Sequence, residues 1–219
     1  MQNRHIIFGA ILSLAFLPVA KAVSPPPDGC YSNFTTAEGC NALNALTTGM
    51  RNTGVGSYSL FLNTTGNFNT GVGTVALLIN NADNNTAVGT RALLLNTTGA
   101  DNAAVGANAL LHNDSGSDNN AFGSSALFNN VDGLFNNAHD RNALVNNNGN
   151  ENNAFGDLAL ENVTTGASNT AIGDDAGRFI EDGSGNVFVG DEAATGLGAS
   201  VNNCIAIGAP GCRSFRYLR

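Results

Sequence analysis

The chain has no tryptophan, and only 12% of its 219 residues are charged. Lys and Arg together number 9 against 17 Asp and Glu, for a net charge of −8. Phosphate binding needs clustered basic side chains, and here they are scattered apart from Arg213, Arg216 and Arg219 in the tail. Nucleic acid is therefore not an expected partner. Histidine is equally scarce: His5, His112 and His139 are all there is, and His112 has no Ser or Cys nucleophile in register with it. Phosphate-loop, zinc-finger and EF-hand patterns are missing. These absences argue against an enzyme and for a non-catalytic role.

Long apolar runs are also lacking, with one exception. Arg4 and His5 precede an apolar stretch from Ile6 to Ala20, which ends at Ala20-Lys21-Ala22. A short polar start, an apolar stretch and a small-residue site describe a secretory signal over residues 1–22; a membrane anchor is the alternative. No later segment could span a bilayer as a helix, so the mature chain is expected outside the cell or at its surface. The four cysteines form two local pairs, Cys30 with Cys40 and Cys204 with Cys212. Their spacing does not match zinc motifs, and in an oxidising compartment each pair is expected to close a disulfide loop.

What the chain has in abundance is Gly and Asn, and they recur with a period. Aligned on the glycine after a small apolar tripeptide, the phase positions are Gly39, Gly56, Gly73, Gly89, Gly106, Gly123, Asp140, Gly156, Gly173, Gly190 and Gly208. The steps are 16 to 18 residues, mostly 17. A fixed period marks a stacked architecture. The expected fold is all-β: a parallel β-solenoid, or β-roll, of about ten to eleven coils. The expected organisation is a signal at 1–22, an N-terminal cap at 23–38, the repeat domain at 39–208, and a C-terminal cap with basic tail at 209–219.

Each coil reads as two short strands separated by turns. The first ends just before the phase glycine. Its outer columns, Thr53/Val55 and Thr70/Val72 in two of the coils, are expected to face inward, and His139 stands in one of them. The Ala/Gly column between them (Gly54, Gly71, Ala87, Ala104) is expected to face outward. The second strand is marked by Ala-Leu, as in Ala76-Leu77 and Ala92-Leu93. Asparagine recurs four residues before the phase position, at Asn52, Asn69, Asn85, Asn102, Asn119, Asn136, Asn152, Asn169 and Asn186. It recurs again seven residues after it, at Asn63, Asn80, Asn96, Asn113, Asn130 and Asn147. Stacked coils place such residues about 4.8 Å apart, close enough for side-chain amides to form structural ladders.

Ordering the backbone of a coil costs on the order of 1–2 kcal/mol per residue. About four buried apolar side chains return roughly 1.5–3 kcal/mol each. Inter-coil hydrogen bonds and packing against further copies must contribute, and a homotrimer is expected, with the small outward column as its contact surface.

One charged feature recurs. Asp157, Asp174 and Asp191 follow the phase glycine in three successive coils, with Asp175 and Glu192 beside the last two. Their carboxylates could share a Ca²⁺, although a solvated acidic turn that blocks edge-to-edge pairing explains them as well. No other cofactor is expected. An ice-binding surface needs a regular outer Thr array, and Thr53, Thr70 and Thr86 fall in a column read as inward. Solenoid enzymes acting on polysaccharides use longer coils that build a cleft, and these coils are uniform. Sequons, among them Asn33, Asn63, Asn96, Asn113 and Asn162, arise readily in Asn/Thr-rich repeats and matter only in a eukaryotic secretory route.

The series NTGVG, NTAVG, NNAFG, NTAIG and the closing CIAIG resembles the head repeats of YadA-like trimeric autotransporter adhesins, and similar N-T-A-V-G arrays occur in tail-fibre-like surface proteins. The resemblance runs from Gly39 to about Gly208, with coils about three residues longer than the usual head repeat. It implies a left-handed, trimeric β-roll that binds host, matrix or cell-surface partners without catalysis.

Overall fold

A computed structural model of the protein describes residues 32–208 and 215–216. A short 3₁₀ turn, Ser32–Phe34, leads into twelve strands. In order these are β1 Thr36–Glu38, β2 Thr53–Val55, β3 Thr70–Val72, β4 Thr86–Val88, β5 Ala103–Val105, β6 Asn120–Phe122, β7 Asn137–His139, β8 Asn153–Phe155, β9 Thr170–Ile172, β10 Val187–Val189, β11 Cys204–Ile207 and β12 Phe215–Arg216. They form one sheet in sequence order. From β1 to β11 every pairing is parallel and in register, so Thr53 lies beside Thr70 and Val55 beside Val72. β12 turns back antiparallel onto β11. The protein is a parallel β-solenoid with a period of about 17 residues.

The direction of the strand residues is the reverse of the expectation. The central column is the buried one: Ala87, Ala104, Ala121, Ala138, Ala154 and Ala171 are fully enclosed. The flanking Thr and Val columns are half-buried or exposed. The reason lies in the width of the coil. A Cβ placed on Gly54 would already stand 3.2 Å from Leu43 Cγ of the preceding coil. The leucines fill the interior, and what faces them across it can be no larger than a methyl group. Period-two alternation establishes that neighbours point oppositely, but not which of them points in.

The second expected strand is also absent. The Ala-Leu segment is buried, as at Ala92, Leu93, Ala109 and Leu110, but it runs as turns. Leu43, Leu60, Leu77, Leu93, Leu110, Leu127, Leu144 and Leu160 all have φ between 49° and 53°. A left-handed leucine is unfavourable by roughly 1–2 kcal/mol. Here the turn aims alternate amides at opposite neighbours: Tyr58 N–H donates back to the Cys40 carbonyl at 2.8 Å and Leu60 N–H donates forward to Ala76 at 2.9 Å. Each coil is bonded on both sides without a second β-ladder.

The phase glycines are needed for two reasons at once. Gly106 has φ 137°, and a Cβ there would come within 2.5 Å of the Gly123 carbonyl oxygen in the next coil. Only glycine meets both conditions. Asp140, with φ 89°, is the one non-glycine in the column.

Both asparagine ladders are present and buried. In the first, each Oδ1 accepts the backbone N–H of the next ladder residue while Nδ2 donates to a turn carbonyl. Asn136 N–H donates to Asn119 Oδ1 at 2.9 Å, and Asn119 Nδ2 donates to Gly133 O at 2.8 Å. The series ends at Asn186, whose Oδ1 accepts from Cys204 N–H. The second ladder runs side chain to side chain, as from Asn96 Nδ2 to Asn80 Oδ1 and from Asn113 Nδ2 to Asn96 Oδ1, both 2.6 Å. It is bounded by apolar residues at the same position: Leu46 before it, and Val163, Ile180 and Leu197 after it, all packed against the core.

Candidate interaction surface

Because the strand centres point inward, the outer face of the sheet carries two continuous rows. One is Thr53, Thr70, Thr86, Ala103, Asn120, Asn137, Asn153 and Thr170; the other is Val55, Val72, Val88, Val105, Phe122, His139, Phe155, Ile172, Val189 and Ile207. The second row is apolar except at His139. Toward the C-terminal end it is well exposed: Phe155 by 41%, Ile172 by 47% and Ile207 by 62%. In-register parallel strands hold like side chains one coil apart, so the row is continuous from coil to coil.

The middle of this face carries a ring stack and an amide ladder side by side. The His139 imidazole stacks between Phe122 and Phe155, with centroids 5.0 and 4.7 Å away and planes within 13°. Beside it, Asn120 Nδ2 donates to Asn137 Oδ1 at 2.8 Å, and Asn137 Nδ2 donates to Asn153 Oδ1 at 2.7 Å. This third, outer amide ladder joins the same three coils. His139, expected in the interior, is thus a surface residue.

A second outward apolar row lies on the Ala-Leu segment, through the half-buried Phe61, Leu78, Leu94 and Phe128. His112 sits at its edge, packed edge-on against Phe128 at 4.7 Å, with Nδ1 2.9 Å from Asn129 Oδ1. In later coils charge replaces this row. Arg178 pairs with Glu161 at 2.6 Å and Asp175 at 3.0 Å. The hydrogen bond that Arg178 donates to Glu161 raises the already high pKa of the guanidinium further.

The acidic residues are not gathered into one centre. Asp157 pairs with Arg141 at 2.5 Å and Asp175 with Arg178, while Asp174, Asp191 and Glu192 are turn residues of successive coils. Among the described residues, no group of three or more His, Cys, Asp or Glu side chains is arranged to hold a metal ion. Cys40 is exposed and Cys204 buried. Their expected partners, Cys30 and Cys212, lie outside the described residues, as do the signal segment and most of both caps. Among the described residues no helix is long and apolar enough to cross a membrane.

What sequence reasoning missed is the outer face itself. Its rows were visible as columns, and the stack of Phe122, His139 and Phe155 could have been found from register alone once the direction of the strand was known. No family model matches the chain, and neither a curated protein nor a solved structure shows a significant match to it.

Proposed function

We propose that the chain is a non-catalytic, extracellular structural and adhesion module that associates with copies of itself, as a homotrimer, and binds surface or matrix partners. The observation that carries this reading is the apolar row from Val55 to Ile207 on the outer face of the sheet. A contiguous exposed apolar strip is a contact surface by default. The resemblance of the NTAVG-type repeats to trimeric adhesin heads points the same way. Two different segments of the coil, the strand and the Ala-Leu segment, carry outward apolar rows, and the turn segment is mostly polar. A contact between unlike faces closes into a ring when the rotation permits, and three copies make the smallest such ring beyond a dimer. The contact surface differs from the small-residue column expected from sequence, which is interior. Light scattering on purified, tag-free protein at micromolar concentration tests the assembly, and a monomer would sink it. Binding of fluorescent protein to immobilised matrix components tests adhesion.

A second reading, ice binding, is favoured by one observation. Thr53, Thr70 and Thr86 stand in register on the outer face, each two residues from an outward valine. The array breaks at Ala103 and Asn120. A thermal-hysteresis assay separates the two readings.

A further inference from the structure

Of the six sequons, Asn33 and Asn162 are half-buried, the latter donating from Nδ2 to Arg178 O at 2.9 Å, and the other four fall into two structural classes. Asn63, Asn96 and Asn113 each begin an Asn-X-Thr/Ser triplet, and all three are fully buried members of the second ladder. For Asn96 both amide hydrogens are committed, to Asn80 Oδ1 at 2.6 Å and Gly99 O at 2.8 Å. For Asn113 they go to Asn96 Oδ1 at 2.6 Å and Gly116 O at 2.8 Å. Asn63 donates to Gly66 O at 3.0 Å and accepts from Asn80. The triplet Asn84-Asn85-Thr86 differs. Asn84 is exposed, and its Nδ2 makes one bond, to the exposed Asp101 Oδ1 at 3.0 Å.

We infer that N-linked glycosylation at Asn63, Asn96 or Asn113 and the folded solenoid are mutually exclusive, and that Asn84 is a site where the fold accepts a glycan. In the transfer, Asn Nδ2 forms a bond to the anomeric carbon of an oligosaccharide and loses one amide hydrogen. The polyprenyl diphosphate that carried the sugar departs. At Asn96 and Asn113 the lost hydrogen is one that holds the ladder, and the interior has no volume for a sugar. At Asn84 the second hydrogen is free and faces solvent. Transfer that precedes folding therefore diverts molecules from the native state, and the folded population is the one whose ladder escaped it. This inference is independent of what the outer face binds.

The experiment is secretion of the chain from a eukaryotic host that attaches N-linked glycans. The soluble folded fraction is separated from aggregate by size exclusion, and site occupancy is read by peptide mass mapping. The folded fraction is expected to carry glycan at Asn84 and none at Asn63, Asn96 or Asn113, with occupied ladder sites confined to the aggregate. The triple variant Thr65→Ala, Thr98→Ala, Ser115→Ala removes the three buried sequons at exposed positions and keeps every ladder asparagine. It is expected to raise the folded yield several-fold in that host and to leave it unchanged in a bacterial host without such transfer. A folded fraction with glycan at any ladder site, or with Asn84 empty, overturns the assignment. So does a triple variant whose yield rises equally in both hosts.

Discussion

The ring of Phe188 fills the space that a side chain at Gly177 would need: a Cβ on Gly177 would lie 2.5 Å from Phe188 Cδ2. Phe188 stands in the interior column that is otherwise Ala or Gly, and Gly177 in the column that is otherwise mostly leucine. One large residue and one small one have changed places across the interior, so the local volume is kept. Coil width is thus enforced pairwise. A smaller case lies at Ser59, whose buried Oγ donates to Gly71 O at 2.8 Å and would stand 2.5 Å from a Cβ on that glycine.

Phe188→Ala should cost about 3–5 kcal/mol through the cavity it leaves, and Gly177→Leu about 1–3 kcal/mol through overpacking. The backbone at Gly177, φ 65°, is left-handed like that of the leucines of its column, so a torsional cost of about 1–2 kcal/mol adds to the steric one. The double variant should be more stable than the sum of the two predicts, with a coupling of about 1–3 kcal/mol. Urea denaturation of the four proteins measures it, and strict additivity would remove the compensation.

Asp140 is the converse case, a residue in the wrong column with no compensation. Its φ of 89° is in the region that favours glycine, which every other coil uses at this position. Asp140→Gly should raise stability by about 0.5–1 kcal/mol, the torsional relief less the added chain entropy. Gly106→Ala, by contrast, should destabilise, because its Cβ meets the Gly123 carbonyl at 2.5 Å. Thermal melts of both variants give the two signs.

The two interior ladders should differ in what their loss costs. Asn136→Ala removes the acceptor of Asn152 N–H, 2.9 Å away in the interior, while Gly149 O keeps its bond from Asn147. An orphaned buried group costs about 1–3 kcal/mol, and the variant should lose about that much. Asn147→Val leaves Gly149 O still bonded to Asn136 and orphans no backbone amide. The next coil already has Val163 there. Its loss should be about half as large, and equal losses in denaturant titration would contradict the assignment of the first ladder to backbone satisfaction.

Much of this was legible in the sequence. The phase glycines gave the coil length and the stacking register, and the asparagine columns gave the ladders, because both depend on identity repeating at one position. Direction was not legible. In Thr-Ala-Val either the centre or the flanks can face inward, and choosing by hydrophobicity favoured Val over Ala. The choice is set by the leucine on the opposite wall, which leaves room for a methyl group and no more, and that wall was itself misread as a strand. The outer stack of Phe122, His139 and Phe155 was lost with the same error. The charges at Asp157 and Asp175 gave no hint of Arg141 and Arg178, because those partners lie in a neighbouring coil or three residues away across a turn.

If the outer apolar row is the self-association surface, polar substitutions on it should separate assembly from folding. Phe155 and Ile172 are paired across β8 and β9, and their side chains point away from the core. Phe155→Asp with Ile172→Asp places two carboxylates on neighbouring strands at an apolar contact. Burying either without a partner is costly, so the variant should remain monomeric at concentrations where the parent assembles, with an unchanged circular dichroism spectrum. His139→Phe should act in the opposite sense, completing the apolar row between Phe122 and Phe155 and tightening association by several-fold. Sedimentation velocity over a concentration series reads both effects. Parallel behaviour of the parent, the double Asp variant and His139→Phe would place the contact elsewhere, with the row on Phe61, Leu78 and Leu94 as the next to substitute.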